Sequence, residues 1–144
     1  MIIIRKATIK DIPELVILME QLGYPTSVDK MKLRFNAINN NPSYHTLVAD
    51  LEGKVVGMTG LNTGLFYEYD GSYVWIVAFI VDTNYRRKGI GKKLIQEAEC
   101  WAREQGAIAI ALNSGNREER KDAHQFYLSM GYKAKSIGFG KSLI

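Results

Sequence analysis

Little in this chain points to cross-links or metal. It has one cysteine, Cys100, so no intrachain disulfide can form. Its two histidines, His45 and His124, show no His-x-His spacing, and no Cys-x-x-Cys exists, so no metal is expected. Three prolines are scattered, and no low-complexity tract or internal repeat marks a linker. The 144 residues are therefore read as a single domain, 1–144. No apolar run approaches the roughly 20 residues of a membrane span. The start "MIIIRKAT" lacks the long apolar core of a signal peptide. A cytoplasmic, reducing environment and no membrane partner are the expectation.

What the chain does have is core-forming material: 47% of residues are hydrophobic and 24% charged. The net charge of +4 suits an anionic ligand. Nucleic acid is not expected, because the basic residues concentrate at one loop and "NREERKD" is charge-mixed.

The β-branched "IIIRKA" (2–7) reads as a strand. In "DIPELVILMEQLGY", Ile12, Leu15, Val16, Met19 and Leu22 recur at helical spacing, and Gly23 is a stop. Asp11 with Glu14, or Thr8 with Asp11, would cap this helix, and Pro13 favours the later start. A second helix over 27–41 is capped by Ser27 and buries Met31, Phe35 and Ile38. Three strands follow, at 44–51, 54–66 and 73–81, joined by the turn signals Glu52-Gly53 and Asp70-Gly71. A helix at 91–105 buries Leu94, Ile95, Ala98, Trp101 and Ala102. A strand at 107–113, a helix at 117–130 and a closing strand at 132–143 complete the order β-α-α-β-β-β-α-β-α-β. An antiparallel meander feeding a βαβ unit makes a mixed sheet covered by helices, an α/β (α+β) fold.

"NYRRKGIGKKLI" (84–95) stands between the apolar run "VWIVAFIV" and a helix. Helix N-termini carry positive partial charge and unpaired N–H groups, so each lysine placed there costs roughly 0.3–1 kcal/mol. Lys92 and Lys93 break the rule together, and Arg86, Arg87 and Lys88 add to the repulsion. A bound polyanion reverses the sign of all these terms. Gly89 and Gly91 lack a Cβ and let backbone amides approach an oxygen. The pattern fits a diphosphate cradled by amides. It is neither a P-loop, which needs Ser or Thr where Lys93 stands, nor a dinucleotide fingerprint, which needs glycine at Leu94.

Arg86-Arg87-Lys88-Gly89-Ile90-Gly91 matches R/Q-x-x-G-x-G/A, and "AHQFYLSMGY" (123–132) is a helix ending in Tyr and then Gly-Tyr. As a pair, these stretches resemble the GCN5-related N-acetyltransferases, the GNAT superfamily, and the element order extends that resemblance over essentially the whole chain. The resemblance implies a GNAT-like sheet with splayed parallel central strands and helices on both faces. It implies acetyl-CoA as co-substrate and an amine acceptor, with acetyl moved to a primary amine in a ternary complex. The amides of Arg87 to Lys92, with Arg86, Lys88, Gly89, Ile90 and Gly91 in the signature, would hold the diphosphate. Strand backbone at Phe79, Ile80 and Val81 would pair with the pantetheine arm, and Tyr127 would protonate the departing thiolate. Tyr127 also fits plain core packing. Asn113 is equally readable as a pantetheine contact or as part of an ordinary turn. The stretch 22–27 would lie over the acceptor side, and a homodimer through the final strand is compatible.

Two departures stand out. Many relatives carry an acidic base in the strand before the loop, where this chain has Trp75, Ile76, Val77 and Ala78. Many also have Asn seven residues before the tyrosine, where Arg120 stands. Glu68 and Asp70 read as a solvated turn, Cys100 as a buried, inert thiol. Tyr73 and Trp75, with Tyr67 and Tyr69 nearby, line an acceptor pocket or pack the sheet. The missing carboxylate keeps a second expectation open, a non-catalytic acyl-CoA-binding module.

Overall fold

A computed structural model describes residues 1–114 and 120–144. Its elements are β1 (Ile2–Lys6), α1 (Ile12–Leu22), α2 (Val28–Asn39), β2 (Tyr44–Leu51), β3 (Lys54–Leu65), β4 (Ser72–Val81), α3 (Ile90–Glu104), β5 (Ala107–Leu112) and α4 (Lys121–Ser129). The strands form one sheet in the order β1-β2-β3-β4-β5. Pairing is antiparallel from β1 through β4 and parallel between β4 and β5. Helices cover both faces. On one, Ile12, Leu15 and Leu18 of α1 and Phe35 of α2 pack on Val48, Val55, Met58 and Ile80. On the other, Ile90, Leu94, Ile95 and Ala98 of α3 pack on Val56, Leu61, Val74 and Ile76, with Phe126 and Tyr127 of α4 at the margin. Gly57 lets α3 come close, since a Cβ there would sit 3.1 Å from Leu94 and 3.3 Å from the Ile80 carbonyl.

Local chemistry explains the element boundaries. Both expected starts of the first helix occur in series. A 3₁₀ turn, Ile9–Asp11, comes first, with the Asp11 carboxylate accepting the Thr8 N–H at 2.8 Å. α1 then begins at Ile12 with Pro13 in its first turn. Glu14 does not cap; it accepts the Val55 N–H at 2.7 Å, where β3 is irregular against β2. Gly23 ends α1 in the left-handed region at φ 104°. Glu52 and Gly53, at φ 50° and 93°, make the tight β2–β3 turn. His45 lies flat on Trp101 with ring centroids 4.7 Å apart.

β4 carries the feature that shapes the site. Gly60 pairs with Ala78 and Leu61 with Ile76, leaving Val77 as an extra residue. Side chains alternate faces along a strand, so one inserted residue inverts the alternation. Before it, Val74 and Ile76 face α3; after it, Ala78 and Ile80 face α1 and α2, while Phe79 and Val81 face α3. The buried Thr59 hydroxyl donates to the Ala78 carbonyl at 3.0 Å, satisfying the disturbed ladder. Pairing of β4 with β5 ends at Ile76 and Leu112, which is the splay.

Two expectations change, and part of a third lies outside the described residues. No strand forms over 132–143. Its alternation puts Lys133, Lys135, Ile137, Phe139 and Lys141 on one side and Ala134, Ser136, Gly138 and Gly140 on the other. Neither side offers enough apolar burial to offset ordering the chain. Phe139 remains 94% exposed. Cys100 is exposed rather than buried, because it lies off the apolar stripe of Leu94, Ala98 and Ala102. α4 begins at Lys121, with Arg120 at its N-cap, and residues 117–119 of the expected helix lie outside the described residues.

One polar cluster ties the first strand to the first helix. Arg5 donates through Nη1 and Nη2 to the two Asp11 carboxylate oxygens at 2.9 Å each, and through Nε to Asp50 at 3.0 Å. Asp11 is 4% exposed, and the Arg5 guanidinium holds its carboxyl below the ordinary 3.8. A carboxyl depressed in the folded state stabilises above its unfolded pKa and loses that contribution as pH falls through its folded value. Asp11→Asn should therefore destabilise by about 2 kcal/mol at neutral pH. Its deficit in urea unfolding should shrink below the ordinary carboxylate pKa. A deficit unchanged at pH 3 would show that the pair's charge is not the source.

Candidate functional site

The loop between β4 and α3 presents backbone donors. Asp82 is buried, and its carboxylate accepts the Asn84 N–H at 2.9 Å, opening a 3₁₀ turn at Thr83–Tyr85. The Thr83 N–H donates to Gln21 of α1 at 2.9 Å, which fixes the loop's base. Arg87 then adopts φ 64° and Gly89 φ 79°, both left-handed. For Arg87 this costs about 1–2 kcal/mol. Left-handed residues feeding a right-handed helix turn successive amides toward one point, an anion-binding nest. The first α-helical bond here is Lys93 N–H to Gly89 C=O at 3.1 Å, so the amides of Ile90, Gly91 and Lys92 have no helical acceptor.

The side chains around these amides divide by task. Arg86, Arg87, Lys88, Lys92 and Lys93 are exposed. Arg86 Nε reaches the Val81 carbonyl at 3.4 Å, and the Lys88 ammonium stands 5.4 Å from the Tyr85 ring centre, with Lys54 at 5.0 Å. The Ile90 side chain is core, 1% exposed, so only its backbone faces the loop. The two glycines differ. A Cβ on Gly89 would meet open space, so glycine there serves the left-handed backbone. A Cβ on Gly91 would sit 3.3 Å from Phe126 and 3.5 Å from Phe79, so glycine there lets those rings pack against the first turn of α3. Packing is thus a second reason for glycine at this position, beside the one read from the sequence.

Beyond Ile76 and Leu112 the parted strands leave a cleft of about 230 Å³. Its floor is Ile76, Val77, Ala78 and Phe79 of β4; Leu112, Asn113 and Ser114 form the β5 side. Leu22 and Tyr24 at the end of α1, with Arg120 and Tyr127, complete the lining. The edge of β4 over 77–81, including Ile80 and Val81, has no β5 partner. Phe79 stacks on Phe126 at 5.8 Å and meets Tyr127 edge-on at 6.0 Å, so α4 is held against the open edge by aromatic contact.

Tyr127 is both packed and placed in the cleft. Burial pushes its phenol above the ordinary 10.0, and the Arg120 charge opposes that more weakly. Tyr127 therefore stays protonated at neutral pH. Tyr132 anchors the end of α4: its hydroxyl donates to Glu99 of α3 at 2.9 Å, and burial, then that bond, push its phenol well up. The sequence reading missed this anchor, although Gly131-Tyr132 sits in the motif it singled out. It also missed the extra residue at Val77, since an apolar run hides a change of face. Glu68 and Asp70 are exposed and do not line the cleft. Tyr73 packs on Gly64 and on Phe66, and Tyr67 is fully exposed. Among the described lining residues there is no carboxylate, and Arg120 carries the charge. Among the described residues no group of three or more His, Cys, Asp or Glu is placed to hold a metal ion.

Comparison with known proteins bears on this arrangement. Residues 13–132 match the Acetyltransferase (GNAT) family. The aminoalkylphosphonate N-acetyltransferase of Salmonella typhimurium is 34% identical over 103 residues, 72% of this chain and 66% of that protein. The uncharacterized N-acetyltransferase YhdJ of Bacillus subtilis is 39% identical over 74 residues, 51% of each chain. The matches thus span between half and just under two thirds of these curated relatives. The crystal structure of a GNAT family acetyltransferase from Staphylococcus aureus superposes with a TM-score of 0.85 at 34% identity, covering 99% of this chain and 98% of that one. The parted strands and the amide-lined loop accordingly sit in a chain that belongs to the GNAT acetyltransferase family.

Proposed function

We propose that this protein is an acetyl-CoA-dependent N-acetyltransferase that moves an acetyl group to a primary amine by direct transfer in a ternary complex. The observation that carries the reading is the parting of β4 and β5. It leaves an unpaired strand edge beside a cleft that Tyr127 lines, and the amide loop follows directly at the end of that edge. Acetyl-CoA would supply the activated thioester. The amides from Arg87 to Lys92, flanked by Arg86 and Lys88, suit its diphosphate, and the open β4 edge at Phe79, Ile80 and Val81 suits the amides of its arm. Asn113, exposed just after β5 and lining the cleft, would hydrogen-bond the same arm across the gap.

The amine nitrogen bonds to the acetyl carbon, the carbon–sulfur bond breaks, and the departing sulfur takes a proton. Tyr127 would give that proton and recover one through solvent from the nascent ammonium. No carboxylate among the described lining residues can act as base. The apolar walls of Leu22, Val77 and Leu112 instead disfavour an ammonium and favour the neutral amine. Holding amine and thioester together then supplies most of the acceleration. The missing carboxylate is also what supports a second reading, a non-catalytic acyl-CoA-binding module. Turnover of any amine by protein that binds acetyl-CoA separates the two.

Calorimetric titration should show acetyl-CoA binding to the wild type and to Gly89→Gln, but far weaker binding to Gly89→Glu. Both variants bear the same left-handed strain, so charge alone distinguishes them. Equal binding by the two would remove the diphosphate from this loop. Tyr127→Phe should lower kcat about 10²-fold while leaving acetyl-CoA affinity unchanged; an unaltered kcat would return Tyr127 to the core. The wild-type kcat/KM should rise with the fraction of neutral amine toward the amine's own pKa, about 10 for an alkylamine. A plateau near pH 7 would reveal a base.

A further inference from the structure

We propose that the acceptor is an amine bearing a second, anionic group (a carboxylate, phosphate or phosphonate) and that Arg120 seats that group. The proposal rests on the acetyltransferase reading above and names the substrate class of the same cleft.

Three observations carry it. Arg120 is the charged residue among the described residues lining the cleft, and the others are apolar, aromatic or neutral polar. Its side chain is half-buried, yet among the described residues it has no hydrogen-bond or ion-pair partner, unlike Arg5, whose guanidinium is fully engaged. A guanidinium drawn from water without a partner is unfavourable, and a bidentate anion is the ligand its fork fits. Arg120 also lines the same cleft as Tyr127 and lies near enough for its charge to act on that phenol. An anion held there leaves a short amine free to turn toward the Tyr127 hydroxyl. A polycationic acceptor finds the reverse: a like charge and, among the described lining residues, no acidic partner.

The test is a panel of matched amines at saturating acetyl-CoA: 2-aminoethylphosphonate, β-alanine, propylamine and 1,3-diaminopropane. The wild type should favour the two anionic amines over propylamine by about 10- to 100-fold in kcat/KM, with the diamine poorest. Arg120→Gln should abolish that preference, mainly through KM, with the anionic amines losing far more than propylamine. Arg120→Glu should move the preference toward the diamine. Calorimetric affinity for acetyl-CoA should be the same in all three proteins. A wild type that treats propylamine as well as the anionic amines overturns the proposal. So does an Arg120→Gln that loses acetyl-CoA affinity and slows every amine equally, since Arg120 would then serve the coenzyme. If acetyl-CoA binds and no amine is acetylated, the activity reading fails by itself. Equilibrium binding of the same four amines to the CoA complex then decides the anion preference, and equal affinities overturn it.

Discussion

The site depends on a failure of pairing. A parallel pair of strands in a buried sheet normally runs in register for its whole length, because unpaired backbone groups away from water are expensive. Here β4 has ten residues and β5 six, and they part after Ile76 and Leu112. The cause is local. The extra residue at Val77 turns the following stretch over, so that Ala78 and Ile80 serve the opposite face from Val74 and Ile76. Strand β3 follows β4 through the disturbance, and Thr59 repairs one bond. β5, on the other edge, ends. The gap is thus held open by covalent register and by a core that fixes both halves of β4, and no side chain need be wedged into it.

Everything that surrounds the gap is braced from outside it. Gly91 gives up a side chain so that Phe79 and Phe126 can meet against α3, and that contact draws α4 across the open edge. Tyr132 then ties the far end of α4 to Glu99. Between these two anchors Tyr127 has little freedom, and its position relative to β4 is a consequence of packing on α3. The Gln21 contact to Thr83 does the same for the loop, linking it to α1. The same C-terminal end of α1 delivers Leu22, and Tyr24 just beyond it, to the cleft, so one helix end braces the loop and lines the gap.

Much of this was legible from residue pattern. Helix spacing placed α1, α2 and α3 because each has one apolar stripe, and Gly23, Glu52-Gly53 and Gly106 marked turns that need left-handed backbone. The misplaced lysines at 92 and 93 pointed to the loop before any fold was in view. Other features were hidden for physical reasons. A strand buried on both faces shows no alternation, so nothing in "VWIVAFIV" betrays a change of face at Val77. The closing segment has β-branched and aromatic residues but divides them badly between its two sides, and propensity does not register that. Cys100 was misjudged from its neighbour Trp101, although adjacent helix positions are about 100° apart and need not share an environment.

The loop shows where stability has been given up. Arg87 is held left-handed, and five cations crowd the positive end of α3 with no acid in its first turn. None of this helps the bare fold, and each term runs against ordinary helix design. Such violations persist where the surrounding structure over-determines them. Here the over-determination is visible: Ile90, Leu94 and Ile95 sit fully in the core directly behind the loop, and Asp82 is buried at its entrance. The rigid apolar face of α3 keeps its unfavourable polar end in place, and an anion arriving there meets donors already aligned. Arg120 repeats the same logic on a smaller scale, a half-buried cation at the start of α4 with no hydrogen-bond or ion-pair partner among the described residues. On the reading proposed above, the basic loop and Arg120 together would favour ligands that bring negative charge on both sides of the reacting atoms.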